Sequence, residues 1–157
     1  MTTFPLVSEM IDLTGKRALV TGGGKGIGAA ISKRLVEAGA SVTIADIDPD
    51  MSEVANELSA TFALCDITVP EQLEAAVRLA SNESNLDILV NNAGIYPPTG
   101  QIAEVSDEFV SKMLDINVRA QFSASREAAN CMSSGGSIVN ISSIAALRGG
   151  ASISAYS

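Results

Sequence analysis

Residues 21 to 28 read TGGGKGIG, and they join an apolar, β-rich run at 17–21 to a stretch in which Ile27, Ile31, Leu35 and Ala38 recur at helical spacing. A strand that passes through glycines straight into a helix is half of a βαβ unit, so the chain is expected to build a parallel sheet with helices packed outside it. Glycines also let the backbone approach a pyrophosphate closely, and the helix start offers it free N–H groups and a partial positive charge. Residues 21–28 are therefore the expected phosphate cradle, with Lys25 a cation inside the loop. A tight turn that holds no ligand is the bland alternative, and for Lys25 a solvated loop charge. Context favours the cradle, because Asp46 ends the second apolar run at about the 20-residue distance where an acidic residue meets a ribose.

The same alternation continues along the chain. Strands are expected at 17–21, 41–46, 61–66, 86–91 and 137–142, none with clean polar alternation, as suits strands covered on both faces. Gly39 supplies a left-handed stop to the first helix. Asp48-Pro49 reads as an N-cap followed by proline at the first helical position, with Val54 and Leu58 turned inward. Thr68-Val69-Pro70-Glu71 fits a capping box, with Leu73, Val77 and Ala80 facing the core. From about 103 to 132 a longer helical stretch carries Phe109, Met113, Ile116 and Ala120 on one face, and a break into two helices is expected near Asn117. The fold class expected is α/β, a doubly wound parallel sheet in one domain over residues 1–157, since that length serves one core and not two.

Composition removes several classes of function. Ten basic against eighteen acidic side chains give a formal charge of −8, which opposes a phosphate-neutralising surface, so no nucleic-acid partner is expected. No run approaches the roughly 18 apolar residues of a membrane span, and the first residues show neither a basic n-region nor an apolar h-region. No membrane partner is expected, and a cytoplasmic location is. There is no histidine, and Cys65 and Cys131 lack CxxC spacing, so both read as buried thiols and no metal site, disulfide framework or histidine-based hydrolytic machinery is expected.

Asp46 can accept hydrogen bonds from ribose hydroxyls, and its charge would repel a 2′-phosphate. Lys25 argues the other way. The run DIDPD at 46–50 holds three carboxylates and no arginine, so NAD is the expected cofactor over NADP.

With TGGGKGIG, Asp66 in CDIT, NNAG at 91–94, Asn117 in DINV, and Ser143 followed thirteen positions later by Tyr156, the sequence resembles the short-chain dehydrogenase/reductase family over essentially its whole length. The resemblance implies a sheet of strand order 3-2-1-4-5, without the family's last strands, and an NAD-dependent enzyme acting on a small alcohol or ketone. It places Gly22, Gly26, Ile27 and Gly28 at the pyrophosphate turn, Asp66 and Ile67 at the adenine, and Asn92, Ala93 and Gly94 beside the two riboses. Asp66 as a simple helix cap, and Asn91 and Asn92 as strand-end hydrogen bonders, are the alternatives. Ser143 is implied as the hydrogen-bond partner of the substrate oxygen, with Ser142 as substitute, and Tyr156 as the residue that exchanges a proton with it. Asn117 is implied as the anchor of a water held by a lysine four residues after the tyrosine. Ile95, Tyr96, Pro97, Pro98 and Leu147 could border a substrate pocket, or form only an apolar loop.

The chain closes on ISAYS, one residue after Tyr156 and before position 160, where the family carries its lysine. It is accordingly read as a fragment of a longer enzyme or a truncated product. A dinucleotide-binding module without turnover is the rival function, and an interaction protein that keeps only the fold is a third. A homodimer or homotetramer through the long helix is implied for a full-length protein.

Overall fold

The computed structural model describes residues 10–133, 135–150 and 153–157. The reading of the amino terminus for an export signal falls in part on residues 1–9, outside the described residues. Strands and helices alternate as β1 (Arg17–Thr21), α1 (Gly26–Glu37), β2 (Ser41–Asp46), α2 (Met51–Glu57), β3 (Thr61–Leu64), α3 (Pro70–Ser81) and β4 (Ile88–Asn91). After them come α4 (Asp107–Leu114), a π-helical segment (Asp115–Arg119), α5 (Ala120–Cys131) and β5 (Ser137–Asn140). The strands pair in parallel in the order β3-β2-β1-β4-β5, the doubly wound arrangement expected. Among the described residues no helix is long and apolar enough to cross a membrane.

Because successive strand residues point to opposite faces, the sheet carries two cores. On one face Ala18 and Val20 of β1 and Val42 and Ile44 of β2 pack under Ile31 and Leu35 of α1 and Ala55 of α2. On the other, Leu19 and Leu89 lie under Leu73, Val77 and Ala80 of α3 and Ala124 and Ala128 of α5. Leu19, Leu73 and Leu89 are fully buried, so truncating any one to alanine costs on the order of 2–5 kcal/mol. Ile27, in the same helical spacing as Ile31 and Leu35, does not join them in the core and is 66% exposed. The first turn of α1 opens onto the glycine turn rather than onto the sheet.

Helix ends follow local chemistry. Gly39, at φ +96, accepts the left-handed turn after α1, with its N–H on Val36 and that of Ala40 on Leu35 at 3.0 Å, which satisfies two terminal carbonyls. Asp48 does cap the next helix: its Oδ1 accepts the Asp50 N–H at 3.1 Å, although regular α-geometry starts only at Met51. Ala55, not Val54, is the buried residue of α2. The capping box at Thr68 does not form. Asp66 wins the competition, because its Oδ1 takes both the Thr68 N–H (2.9 Å) and the Thr68 hydroxyl (2.7 Å), leaving Val69 at the cap with no side-chain bond.

Three strands are shorter than expected. β3 ends at Leu64 because the chain turns at Asp66, and β4 begins late because the Leu86 N–H is taken by the Cys131 carbonyl at 3.0 Å. β5 ends at Asn140 after one further bond, Ile141 N–H to Asn91 carbonyl at 2.9 Å. The long helix is not broken near Asn117 as expected. Ser106 caps α4 by accepting the Phe109 N–H, and the helix runs on through Asn117 as one π-helical turn into α5.

β1 lies between β2 and β4, so the crossover leaving it goes one way and the chain returning to β4 goes the other. The carboxyl ends of β1 and β4 therefore flank a crevice at the topological switch point, where ligands of doubly wound sheets bind.

Candidate functional site

The glycine turn leaves β1 at this crevice. A side chain at Gly28 would place its Cβ 2.0 Å from the Gly22 carbonyl oxygen, so only glycine lets α1 start this close to the strand. Asn92, the first residue after β4, fixes the turn from the other side: its Nδ2 donates to the carbonyls of Thr21 (3.0 Å) and Gly22 (2.9 Å). Thr21 Oγ1 in turn accepts the N–H groups of Asn92 and Ala93, both at 3.1 Å. With its carbonyls held, the turn presents the free N–H groups at the start of α1 to the crevice.

Asp46 ends β2 and is only 4% exposed. A buried carboxylate needs donors, and it has two: Gly24 N–H on Oδ2 and Asp48 N–H on Oδ1, each at 3.2 Å. The same carboxylate thus ties the glycine turn to the acidic β2–α2 loop. Lys25 is exposed and forms no ion pair with another described residue.

Two clefts meet here. The larger, of ≈ 1050 Å³, is lined by Gly22, Lys25, Ile27 and Gly28 from the turn, by Asp46, and by Asp66 and Ile67 after β3. Its far wall is α4 and the π segment, including Ser111, Lys112 and Ile116. Gly26 does not line it, although it opens α1 between residues that do. The second cleft, of ≈ 700 Å³, brings Asn117, Ser142, Ser143 and Tyr156 together. Asn92, Ala93 and Gly94 form the wall common to both. The candidate residues from sequence thus sort into a dinucleotide-sized cleft and a neighbouring pocket of hydroxyl groups.

The candidates in the second cleft have defined partners. Ser143 caps a short helical turn, its Oγ accepting the Ala145 N–H at 3.1 Å. Asn117 clamps the backbone of Ile95 at both ends, accepting its N–H at 2.8 Å and donating to its carbonyl at 3.0 Å. The Asn117 amide is committed to the loop after β4, so an interaction of this residue with a lysine-bound water would have to use its main chain. Asn91 is fully buried, and its Nδ2 bonds the Gln121 carbonyl, Ser125 and Asn140, which joins β4 to β5 and α5.

Sequence reasoning named Tyr96 only as a candidate pocket border and did not foresee its contact: it meets Tyr156 edge to face, the ring centroids 4.6 Å apart. The α4 wall could not be read from spacing, because it comes close only through the fold. Cys65 lines the larger cleft while only 1% exposed, and burial, with the neighbouring Asp66 charge, pushes its thiol up to about 11, so it stays protonated at neutral pH. Cys131 is half-buried rather than buried.

A short chain dehydrogenase family model matches residues 16–157. A 3-oxoacyl-(acyl-carrier-protein) reductase from Rickettsia prowazekii is 40% identical over 145 residues, which are 89% of this chain and 58% of that protein. A (+)-borneol dehydrogenase 2 from Salvia officinalis is 36% identical, over 92% of this chain and 54% of its own length. Among solved structures, a Burkholderia cenocepacia short chain dehydrogenase in complex with NADP superposes with a TM-score of 0.85 at 38% identity, covering 92% of this chain and 62% of that one. A 7α-hydroxysteroid dehydrogenase complexed with NADH and 7-oxo glycochenodeoxycholic acid gives 0.89 at 32% identity, covering 97% and 62%. The chain therefore spans a little over half the length of the relatives it matches. Fold, clefts and family model agree: the chain belongs to the short-chain dehydrogenase family.

Proposed function

We propose that the chain is the dinucleotide-binding part of an NAD-dependent oxidoreductase that interconverts a secondary alcohol and its ketone. The observation that carries this reading is the common wall, Asn92 to Gly94, between a cleft of dinucleotide size and the pocket holding Ser143 and Tyr156. The residues present fit the cofactor. Gly22, Lys25, Gly26, Ile27 and Gly28 would hold the pyrophosphate, Asp46 the adenosine ribose, Asp66 and Ile67 the adenine, and Asn92, Ala93 and Gly94 the sugars. The bound nicotinamide would supply or take the hydride. Ser143 would hold the reacting oxygen through its hydroxyl, Tyr156 would exchange a proton with that oxygen, and Asn117 would keep the Ile95 loop in place beside them.

The preference for NAD rests on Asp46. Each of its oxygens spends one acceptor site on a backbone N–H and retains another for a ribose hydroxyl, whereas a 2′-phosphate would set a second anion against a buried carboxylate. Exposed Lys25 and the NADP-bound Burkholderia relative stand on the other side. Leu114, Val118 and Phe122, all more than half exposed along one helical stripe, support self-association of the whole protein through this helix.

Turnover of secondary alcohols by the protein at its natural length tests the reading. Tyr156→Phe and Ser143→Ala should each lower kcat by about 10² or more, the usual worth of a positioned proton-transfer group. Wild-type rates in Tyr156→Phe would overturn the assignment.

A further inference from the structure

Gly24 lies outside the left-handed region, so its backbone would accept any residue, and the reason for glycine there is space. A Cβ at this position would stand 2.4 Å from both Cβ and Cγ of Met51 and 2.8 Å from its sulfur. Turning the Met51 side chain away would not relieve the clash with its Cβ, so the start of α2 would have to move. The half-buried Met51 is thus packed against the glycine turn itself. That contact closes a ring. The Gly24 N–H donates to Asp46 Oδ2 and the Asp48 N–H to Oδ1, each at 3.2 Å. The Asp48 carbonyl accepts the Met51 N–H at 3.1 Å, and the Met51 side chain returns to Gly24.

Resting on the function proposed above, we infer that Met51 is a positioning residue that sets cofactor specificity: its side chain on Gly24 holds the ring shut, and the shut ring keeps the Asp46 carboxylate facing the ribose. Met51 does not line the larger cleft, so it works through Asp46 rather than on the cofactor. A carboxylate fixed in one place presents its full repulsion to a 2′-phosphate, whereas one free to turn away tolerates it. Fixing it also favours the ribose hydroxyls, because less order has to be imposed when they bind. A thioether has no hydrogen-bond donor, so position 51 itself offers the phosphate nothing.

Parallel fluorescence titrations of the protein at its natural length with NADH and NADPH read the effect. M51A should lower the ratio of NADH to NADPH affinity by about fivefold or more, and M51L, which refills the space, should keep it within about twofold of wild type. In a D46A background M51A should shift the ratio by less than about twofold, because the carboxylate that the ring holds is gone. An unchanged ratio in M51A, or an equal fall with and without Asp46, would overturn the inference. Thermal melts without cofactor test the contact itself. G24A should lower Tm in the wild-type background and by less than about half as much in M51G, where the opposing Cβ is absent. Equal losses in the two backgrounds would overturn the ring. Should G24A fail to fold, a folded G24A/M51G is the expected result and an unfolded one the contrary. A wild-type protein that binds neither dinucleotide would defeat the proposed function, whereas NADH binding with an unmoved ratio in M51A defeats this inference alone.

Discussion

Asp46 clamps the glycine turn and is proposed to hold the adenosine ribose, and the two roles can be measured apart. Its carboxylate is buried on the N–H groups of Gly24 and Asp48 and lines the larger cleft. Removing it with Asp46→Ala should weaken NAD(H) binding by about 1.5–3 kcal/mol, the scale of a hydrogen bond to a charged group. The same change leaves two buried donors unpaired and should lower unfolding stability by about 1–3 kcal/mol, read from urea titration. Unchanged NAD(H) affinity with lowered stability would mean that Asp46 is only the clamp of the glycine turn. The position of Asp46 was legible in the sequence, because an acid after the second strand follows from the βαβ rhythm. Its two backbone partners were not. They depend on how the turn at Gly24 and the loop at Asp48 fold back onto one carboxylate. Asn92 repeats the point: NNAG announced a site, but the amide that pins Thr21 and Gly22 spans some 70 residues of sequence.

At the scale of elements, sequence periodicity located the strands and most helix faces, and it failed where a local or distant hydrogen bond overrode it. Thr68 looked like a cap, but Asp66 two residues earlier takes its N–H and hydroxyl. The π turn inserts an extra residue into the long helix and shifts its spacing, so a break was expected where the structure runs on as one helix. Its partner contact, Asn117 to Ile95, is 22 residues away. A distant bond also fastens the other end of the sheet. Asp87, just before β4, accepts the Arg17 N–H at 2.9 Å and the Lys16 ammonium at 3.0 Å. The Arg17 N–H above all, with Lys16, holds its carboxyl below the ordinary range. A carboxylate depressed in the folded state stabilises fully above the unfolded value near 4, and that contribution is lost as pH falls through the lower folded value. Asp87→Asn should therefore cost stability at pH 7 and almost none at pH 2, which thermal melts across that interval would show. A constant difference at all pH values would mean that the charge is immaterial.

At the scale of the whole fold, β3 and β5 border the sheet among the described residues, and Ile138 and Val139 on β5 are 38% and 43% exposed. The parallel sheet was legible because each crossover had its helix, while its strand order came from the family resemblance. The meeting of two clefts on one wall was not, since it needs the loops after β1, β4 and β5 to converge. The dinucleotide cleft itself comes before any turnover. Its most direct test is a fluorescence titration of the protein with NADH and, in parallel, NADPH. Saturable binding of NADH at least tenfold tighter than NADPH is the predicted result. Tighter binding of NADPH would contradict the role given to Asp46 and transfer it to Lys25.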